Sequence, residues 1–182
     1  RDTAPMTDRR YPEAPAGPFP SPPQTVTDEA DRDIDIETCQ GDQDALLEMY
    51  ADFDPAERAQ GIPPVGEAAI RDWLEHLLCG DCYNVVARHE DAIVGHATLV
   101  GDGDGAYELA IFVHQDYQGE GIGTTLLEAL LGRAAEDGVE RVWLTVERWN
   151  EPAIHLYRKV GFEGTGAEDF EREMSIQLAQ PS

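Results

Sequence analysis

Lysine is all but missing from this chain of 182 residues; Lys159 is the only one. Positive charge of any kind is scarce, with 13 Lys and Arg against 37 Asp and Glu, for a formal net charge of −24 at pH 7. Such a surface repels phosphate backbones and anionic lipid, which argues against a nucleic-acid binder or a membrane-surface binder. Long apolar runs are lacking too, and none approaches the roughly 20 residues that span a bilayer. The first 30 residues hold no apolar h-region, so no secretory signal is read and a cytoplasmic setting is expected. Cysteine is sparse and odd in number, at positions 39, 79 and 82, which makes no secreted disulfide framework. Cys79-Gly-Asp-Cys82 has C-x-x-C spacing, but no second pair completes a zinc site, and the motif follows a helical pattern instead of opening one. Buried or half-buried thiols and no metal are expected.

The acid is spread along the chain. Residues 1–33 carry Arg1, Arg9, Arg10 and Arg32 against seven acids, which leaves a net −21 for residues 34–182. With arginine in place of lysine, this composition points to a halophilic protein, built for salt that screens its self-repulsion, against a merely acidic mesophilic one. Apolar residues make up 41%, enough for a core, and the length fits one domain.

Residues 1–32 hold seven of the 12 prolines and little apolar periodicity, and read as a flexible, polyproline-like arm. A single domain is expected over 33–182. Ile34 and Ile36 alternate with acids, as in a short strand. Leu46, Met49, Tyr50 and Phe53 mark a helix over 42–53. Ile70, Trp73, Leu74 and Leu77 mark another near 67–79. Residues 83–88, 92–100 and 106–114 read as a three-stranded antiparallel meander. The Gly-Asp-Gly-Asp-Gly run at 101–105 lacks the twelfth-position acid of a calcium loop and reads as a turn. A helix over 122–137, a strand over 141–147, a helix over 151–160 and a final strand near 169–178 complete the pattern. The crossover from 106–114 to 141–147 makes those two strands parallel. The fold class is α/β (α+β), with a mixed, mostly antiparallel sheet and flanking helices.

Gln118-Gly119-Glu120-Gly121-Ile122-Gly123-Thr124 lies between a strand and an amphipathic helix. Glycines let backbone approach a ligand, and a helix N-terminus offers N–H groups to an anion, so phosphate is the natural guest. A dinucleotide-binding loop would need further βαβ units, and a P-loop would need a Gly-Lys-Ser/Thr step.

Thirty residues on stands Asn150-Glu-Pro-Ala153-Ile-His-Leu156-Tyr157-Arg-Lys-Val-Gly161-Phe162. With both segments in this order, the chain resembles the GNAT superfamily of acyl-CoA-dependent N-acyltransferases. The resemblance covers all but the arm. It implies acetyl-CoA as co-substrate and an amine acceptor, either a small molecule or a protein lysine. It also implies a splayed parallel strand pair that receives the pantetheine arm along the backbone of Ile111, Phe112 and Val113. Amides of Gly119 to Thr124 would hold the pyrophosphate, with Gln118 opening the motif. Asn150 would either contact the cofactor or cap the last helix. Tyr157 would be the general acid toward sulfur, against a plain core role. Glu108, an acid in an apolar strand, would be a half-buried general base with a raised pKa, against an outward-facing acid. Glu147 and His114 stand behind it, and Arg158 and Lys159 would reach the cofactor's 3′-phosphate. Two positions depart from the family pattern: Glu120, often basic in relatives, and His114-Gln115, where many have proline. The same fold serves as a non-catalytic acyl-CoA-binding module, and the glycine loop alone would also suit a nucleotide-binding regulator. The family also permits a homodimer, and the acceptor-side loop Gln60–Pro64 carries no recognisable code.

Overall fold

Apolar spacing sets most of the elements, and a computed structural model places them for residues 9–54, 62–168 and 171–180. In chain order they are β1 (Gln24–Thr27), β2 (Asp33–Thr38), α1 (Gln43–Ala51), α2 (Glu67–Leu77), β3 (Tyr83–His89), β4 (Ala92–Gly101), β5 (Tyr107–Val113), α3 (Ile122–Glu136), β6 (Arg141–Glu147), α4 (Glu151–Val160), β7 (Glu163–Glu168) and β8 (Glu171–Gln177). The strands form one eight-stranded sheet in the order β1-β2-β3-β4-β5-β6-β8-β7. Every pairing is antiparallel except β5 with β6. Among the described residues no helix is long and apolar enough to cross a membrane.

Two cores lie on the two faces of the sheet. On one, the helix α3 buries Leu126, Leu127, Leu130, Leu131 and Ala134 against strand residues such as Ile34, Val85 and Leu99, joined by Ile154 and Tyr157 of α4. On the other, α1 and α2 bring Leu46, Tyr50, Ile70 and Leu74 together over Val86 and Ile93. Tyr50 sits at the centre of an aromatic group, with ring centroids 4.9 Å from Trp73, 5.4 Å from Phe53 and 5.6 Å from Phe112 of β5. A buried polar chain runs under it. Asn84 Nδ2 donates to the Leu77 carbonyl at 2.7 Å, so its Oδ1 accepts from His96 Nε2, also at 2.7 Å. His96 Nδ1 is left to accept the Tyr50 hydroxyl at 2.7 Å. Both His96 nitrogens are satisfied in the neutral ring, and burial pushes its pKa down to about 3.

Three expectations need correction. The segment expected as a flexible arm is, over residues 9–32, laid onto the sheet. Ala16 exchanges backbone bonds with Gln177 and Ala179 at 2.8 Å, Phe19 and Val26 pack on the first core, and β1 extends the sheet edge. Proline-rich chain makes no internal bonds, but it can still lend its remaining N–H and C=O groups to a sheet. Residues 1–8 lie outside the described residues, as do 169–170 of the expected final strand. A further strand, β7, precedes that one. Finally, Cys79 and Cys82 form a disulfide where two thiols are expected, because the turn after α2 brings their Cα atoms to 5.2 Å, a distance a disulfide can span. Cys39 stays a thiol, its pKa pushed up to about 11 by burial and by Asp42.

The docked segment gives a prediction of sign. Replacing glycine by alanine inside a helix normally stabilises by about 1 kcal/mol. A Cβ on Gly132 of α3, however, would stand 2.6 Å from the Phe19 carbonyl oxygen and 2.7 Å from that of Pro20. Gly132→Ala should therefore destabilise, by roughly 1–3 kcal/mol in urea unfolding; a stabilised variant would mean that residues 19–20 do not lie there.

His96 gives a second. Its folded pKa is depressed below the unfolded value of about 6.5, so the stability it brings is complete above that pH and is lost as pH falls toward 3. Between pH 6 and pH 4 the wild type should lose roughly 1.4 kcal/mol per pH unit more than His96→Gln. Equal slopes would contradict a neutral buried ring.

Candidate active site

The parallel pair β5 and β6 stays together for one step only. Tyr107 pairs with Val142 and Glu108 with Trp143, and then the strands part. β5 keeps its full ladder with β4 up to Gly95↔Val113, and β6 keeps its own with β8 up to Glu147↔Glu171. A gap therefore opens in mid-sheet, flanked by Leu109–Val113 and Leu144–Glu147. It forms a cleft of about 460 Å³.

Backbone direction in β5 follows from its neighbours. His114 N–H donates to the Val94 carbonyl at 2.9 Å, on the β4 side. Alternation turns Phe112 the same way, and turns the N–H and C=O of Ile111 and Val113 into the gap. Of the three residues expected to meet a pantetheine arm, Ile111 and Val113 thus turn their backbone groups into the gap and Phe112 does not. The Phe112 ring lies instead on the face shared with Tyr50 and Trp73. Gln118 folds back so that its Nε2 donates to the Val113 carbonyl at 2.9 Å, closing one end of the gap.

That end leads into the glycine loop. Gly119 and Gly121 have φ of 77° and 91°, left-handed values that a side chain resists. They turn the chain sharply into α3, whose N-cap Gly121 offers no side-chain cap to the first amides. A Cβ on Gly119 would meet nothing within 4 Å, so the loop is open on its outer side. The amides of Gly119, Glu120, Gly121, Ile122, Gly123 and Thr124 border a place shaped for an anion. Gly123 sits where α3, α4 and β5 meet; a Cβ there would be 3.5 Å from Leu156 and 4.0 Å from Val113.

α4 supplies the other wall. Asn150 is its N-cap, its side chain accepting from Ala153 N–H at 3.4 Å, while the residue also borders the cleft. Tyr157 is 8% exposed, packs edge-on to Phe162 and still reaches the cleft lining. Burial pushes its hydroxyl up to about 12, which keeps the proton on it.

Glu108 borders the cleft on the face of Ala110 and Phe112, but its side chain is exposed and not half-buried. The half-buried position expected of it is therefore not found. Glu147 is half-buried in the same cleft and accepts the Trp149 indole N–H at 2.6 Å; Trp149 itself is 71% exposed at the rim. His114 turns away. Its Nδ1 accepts from Asp116 N–H at 3.1 Å, so Nε2 carries the proton and donates to Asp52 at 2.8 Å, tying β5 to the end of α1. Arg158 and Lys159 are exposed on α4. Phe53, which the apolar spacing marks only as a helix position, and Ile62, in the acceptor-side loop, line the cleft from the connection between α1 and α2. In the acceptor-side loop, Gln60 and Gly61 lie outside the described residues. Among the described residues no three His, Cys, Asp or Glu side chains converge as metal ligands.

Known proteins are similar to this chain in sequence or in fold. An uncharacterized N-acetyltransferase of Mycobacterium tuberculosis is 37% identical over 87 residues, which is 47% of this chain and 56% of the relative. The chain thus spans little more than half the length of the curated relatives it matches first. The crystal structure of the GNAT domain of S. lividans PAT superposes with a TM-score of 0.71 at 17% identity, over 86% of this chain and 97% of that one. That of yncA, a putative acetyltransferase from Salmonella typhimurium solved with its cofactor acetyl-CoA, superposes with a TM-score of 0.65 at 22% identity, over 82% and 96%. At these identities the two structures show a shared fold. The sequence pattern of the Acetyltransferase (GNAT) family covers residues 44–162, and the chain belongs to that family.

Proposed function

We propose that this protein transfers the acetyl group of acetyl-CoA to a primary amine by direct attack in a ternary complex. The observation that carries the reading is the parting of β5 from β6, with the glycine loop at one end of the gap and Tyr157 in its wall. Acetyl-CoA supplies a thioester whose carbonyl carbon accepts the amine nitrogen and whose sulfur departs as thiolate. Backbone N–H and C=O of Ile111 and Val113 pair with the pantetheine arm, and one N–H there steadies the developing oxyanion. The Gly119–Thr124 amides hold the pyrophosphate. Tyr157, held protonated by burial, donates its O–H to the departing sulfur. The amine must be neutral to attack, and Glu108 accepts its proton directly or through water, with Glu147 on the facing strand as the other carboxylate in reach.

The acceptor side carries these two carboxylates beside the aromatic rings of Phe53 and Phe112, which suits a cationic amine with an apolar neighbour, on a small molecule or on a protein lysine. The acidity of the whole surface is, in this reading, an adaptation to high salt, under which a polyanionic cofactor can approach a chain of net charge −24.

Release of free thiol from acetyl-CoA against a panel of amines, run in molar salt, tests the enzyme. Tyr157→Phe should lower kcat about 100-fold with little change in the KM for acetyl-CoA. Glu108→Gln should lower kcat; full turnover in that variant would remove the base assignment. Tight acetyl-CoA binding with no thiol release for any amine would leave a non-catalytic acyl-CoA-binding module.

A further inference from the structure

The loop that is to receive a pyrophosphate has carboxylates around it, and one arrives from the far end of the chain. β1 and β2 are joined by a turn over Asp28–Arg32 whose frame is tightly bonded. The buried Asp28 carboxylate accepts from the N–H groups of Ala30 at 3.0 Å and Arg32 at 2.8 Å, and it pairs with the Arg32 guanidinium at 2.8 Å. Arg32 then lies 4.0 Å over the Tyr117 ring and donates to the Asp116 carbonyl at 3.4 Å. Glu29 N–H donates to the Glu120 carbonyl at 3.1 Å, which fastens the turn directly to the glycine loop.

This fastening delivers a charge. Glu29 Oε2 lies 3.7 Å from where a Cβ on Gly121 would stand, at the N-cap of α3. A carboxylate is favoured there for the same reason a phosphate is: the first amides of the helix are uncapped and the dipole attracts negative charge. The side chain is exposed, so no packing holds it in place when an anion competes for the position. Glu120 adds a second carboxylate on the loop itself.

We propose that Glu29 is a built-in competitor for the phosphate cradle and sets the salt dependence of cofactor binding. The proposal rests on reading the Gly119–Thr124 loop as the pyrophosphate site. At low ionic strength the Glu29 carboxylate stands beside the helix terminus and repels the incoming diphosphate. In molar salt the Debye length falls to about 3 Å, the repulsion is screened, and the amides become available at little cost. Cofactor binding is thereby matched to a salty interior by one residue at the site, and not only by the net charge of the surface.

The test is calorimetric titration with acetyl-CoA from about 0.1 M to about 2 M KCl, on wild type, Glu29→Gln, Glu29→Ala and Glu75→Gln. Glu75 is exposed on α2, and its substitution removes the same global charge away from the loop. Wild-type affinity should hold or rise with salt. Both Glu29 variants should bind about tenfold tighter than wild type at low salt, with the difference vanishing in molar salt, while Glu75→Gln follows wild type. Equal low-salt affinity in the Glu29 variants and wild type, or a gain matched by Glu75→Gln, overturns the proposal. An absence of binding at every salt concentration, in all four proteins, strikes the cradle itself and takes the role of Glu29 down with it.

Discussion

The structure depends on two strands that stop pairing. Backbone N–H and C=O groups in a sheet are almost always bonded, and leaving them without partners in a protein interior is costly. Here β5 and β6 pair through Tyr107 and Glu108 and then part, so that Ile111 and Val113 direct their polar groups into a gap. Much of the molecule serves to hold that gap open. β4 and β8 keep each strand straight from its outer side. α3 and α4 wedge against one face, meeting β5 at Gly123, where a Cβ would stand in ordinary contact with Leu156 and Val113. Tyr50, Trp73 and Phe53 support Phe112 from the other face. The Gln118 side chain closes the far end on the Val113 carbonyl.

The second constraint is charge. A chain with a single lysine has few mobile cations to offer a polyanionic ligand. What it has are oriented amides at the start of α3, whose partial charges are fixed in place and need no side chain. Arg32, which lies beside the loop, is otherwise committed: it is paired with Asp28 and stacked on Tyr117. In this arrangement arginine works as a structural fastener, and the backbone is left to meet the anion. The N-terminal segment belongs to the same scheme, since it brings β1, the Asp28–Arg32 turn and Glu29 to the loop's side.

Much of this was legible in the sequence where local pattern decides. The 3.6-residue spacing of leucines gives α3, the alternation of 83–88 and 92–100 gives the β3–β4 hairpin, and the two glycine-bearing segments give the family. Elements at the edges were not legible. β1 is four residues hidden behind prolines, and β7 reads Glu-Gly-Thr-Gly-Ala-Glu, with no apolar period; both are fixed by the strands beside them. Side-chain alternation placed Glu108 correctly on the Phe112 face, but alternation says nothing about whether that face is covered. The direction of the Phe112 backbone depends on which neighbouring strand remains paired, a tertiary fact. Glu29 lies some 90 residues before the loop it touches, and no spacing rule connects them.

Amide exchange with and without acetyl-CoA, followed residue by residue by NMR in molar KCl, tests the account at its centre. The gap predicts slowed exchange at Ile111, at Val113 and across Gly119–Thr124, with Phe112 unchanged because its N–H is already bonded to β4. Protection that spares these amides and appears on α1 and α2 would contradict a cofactor lying between β5 and β6.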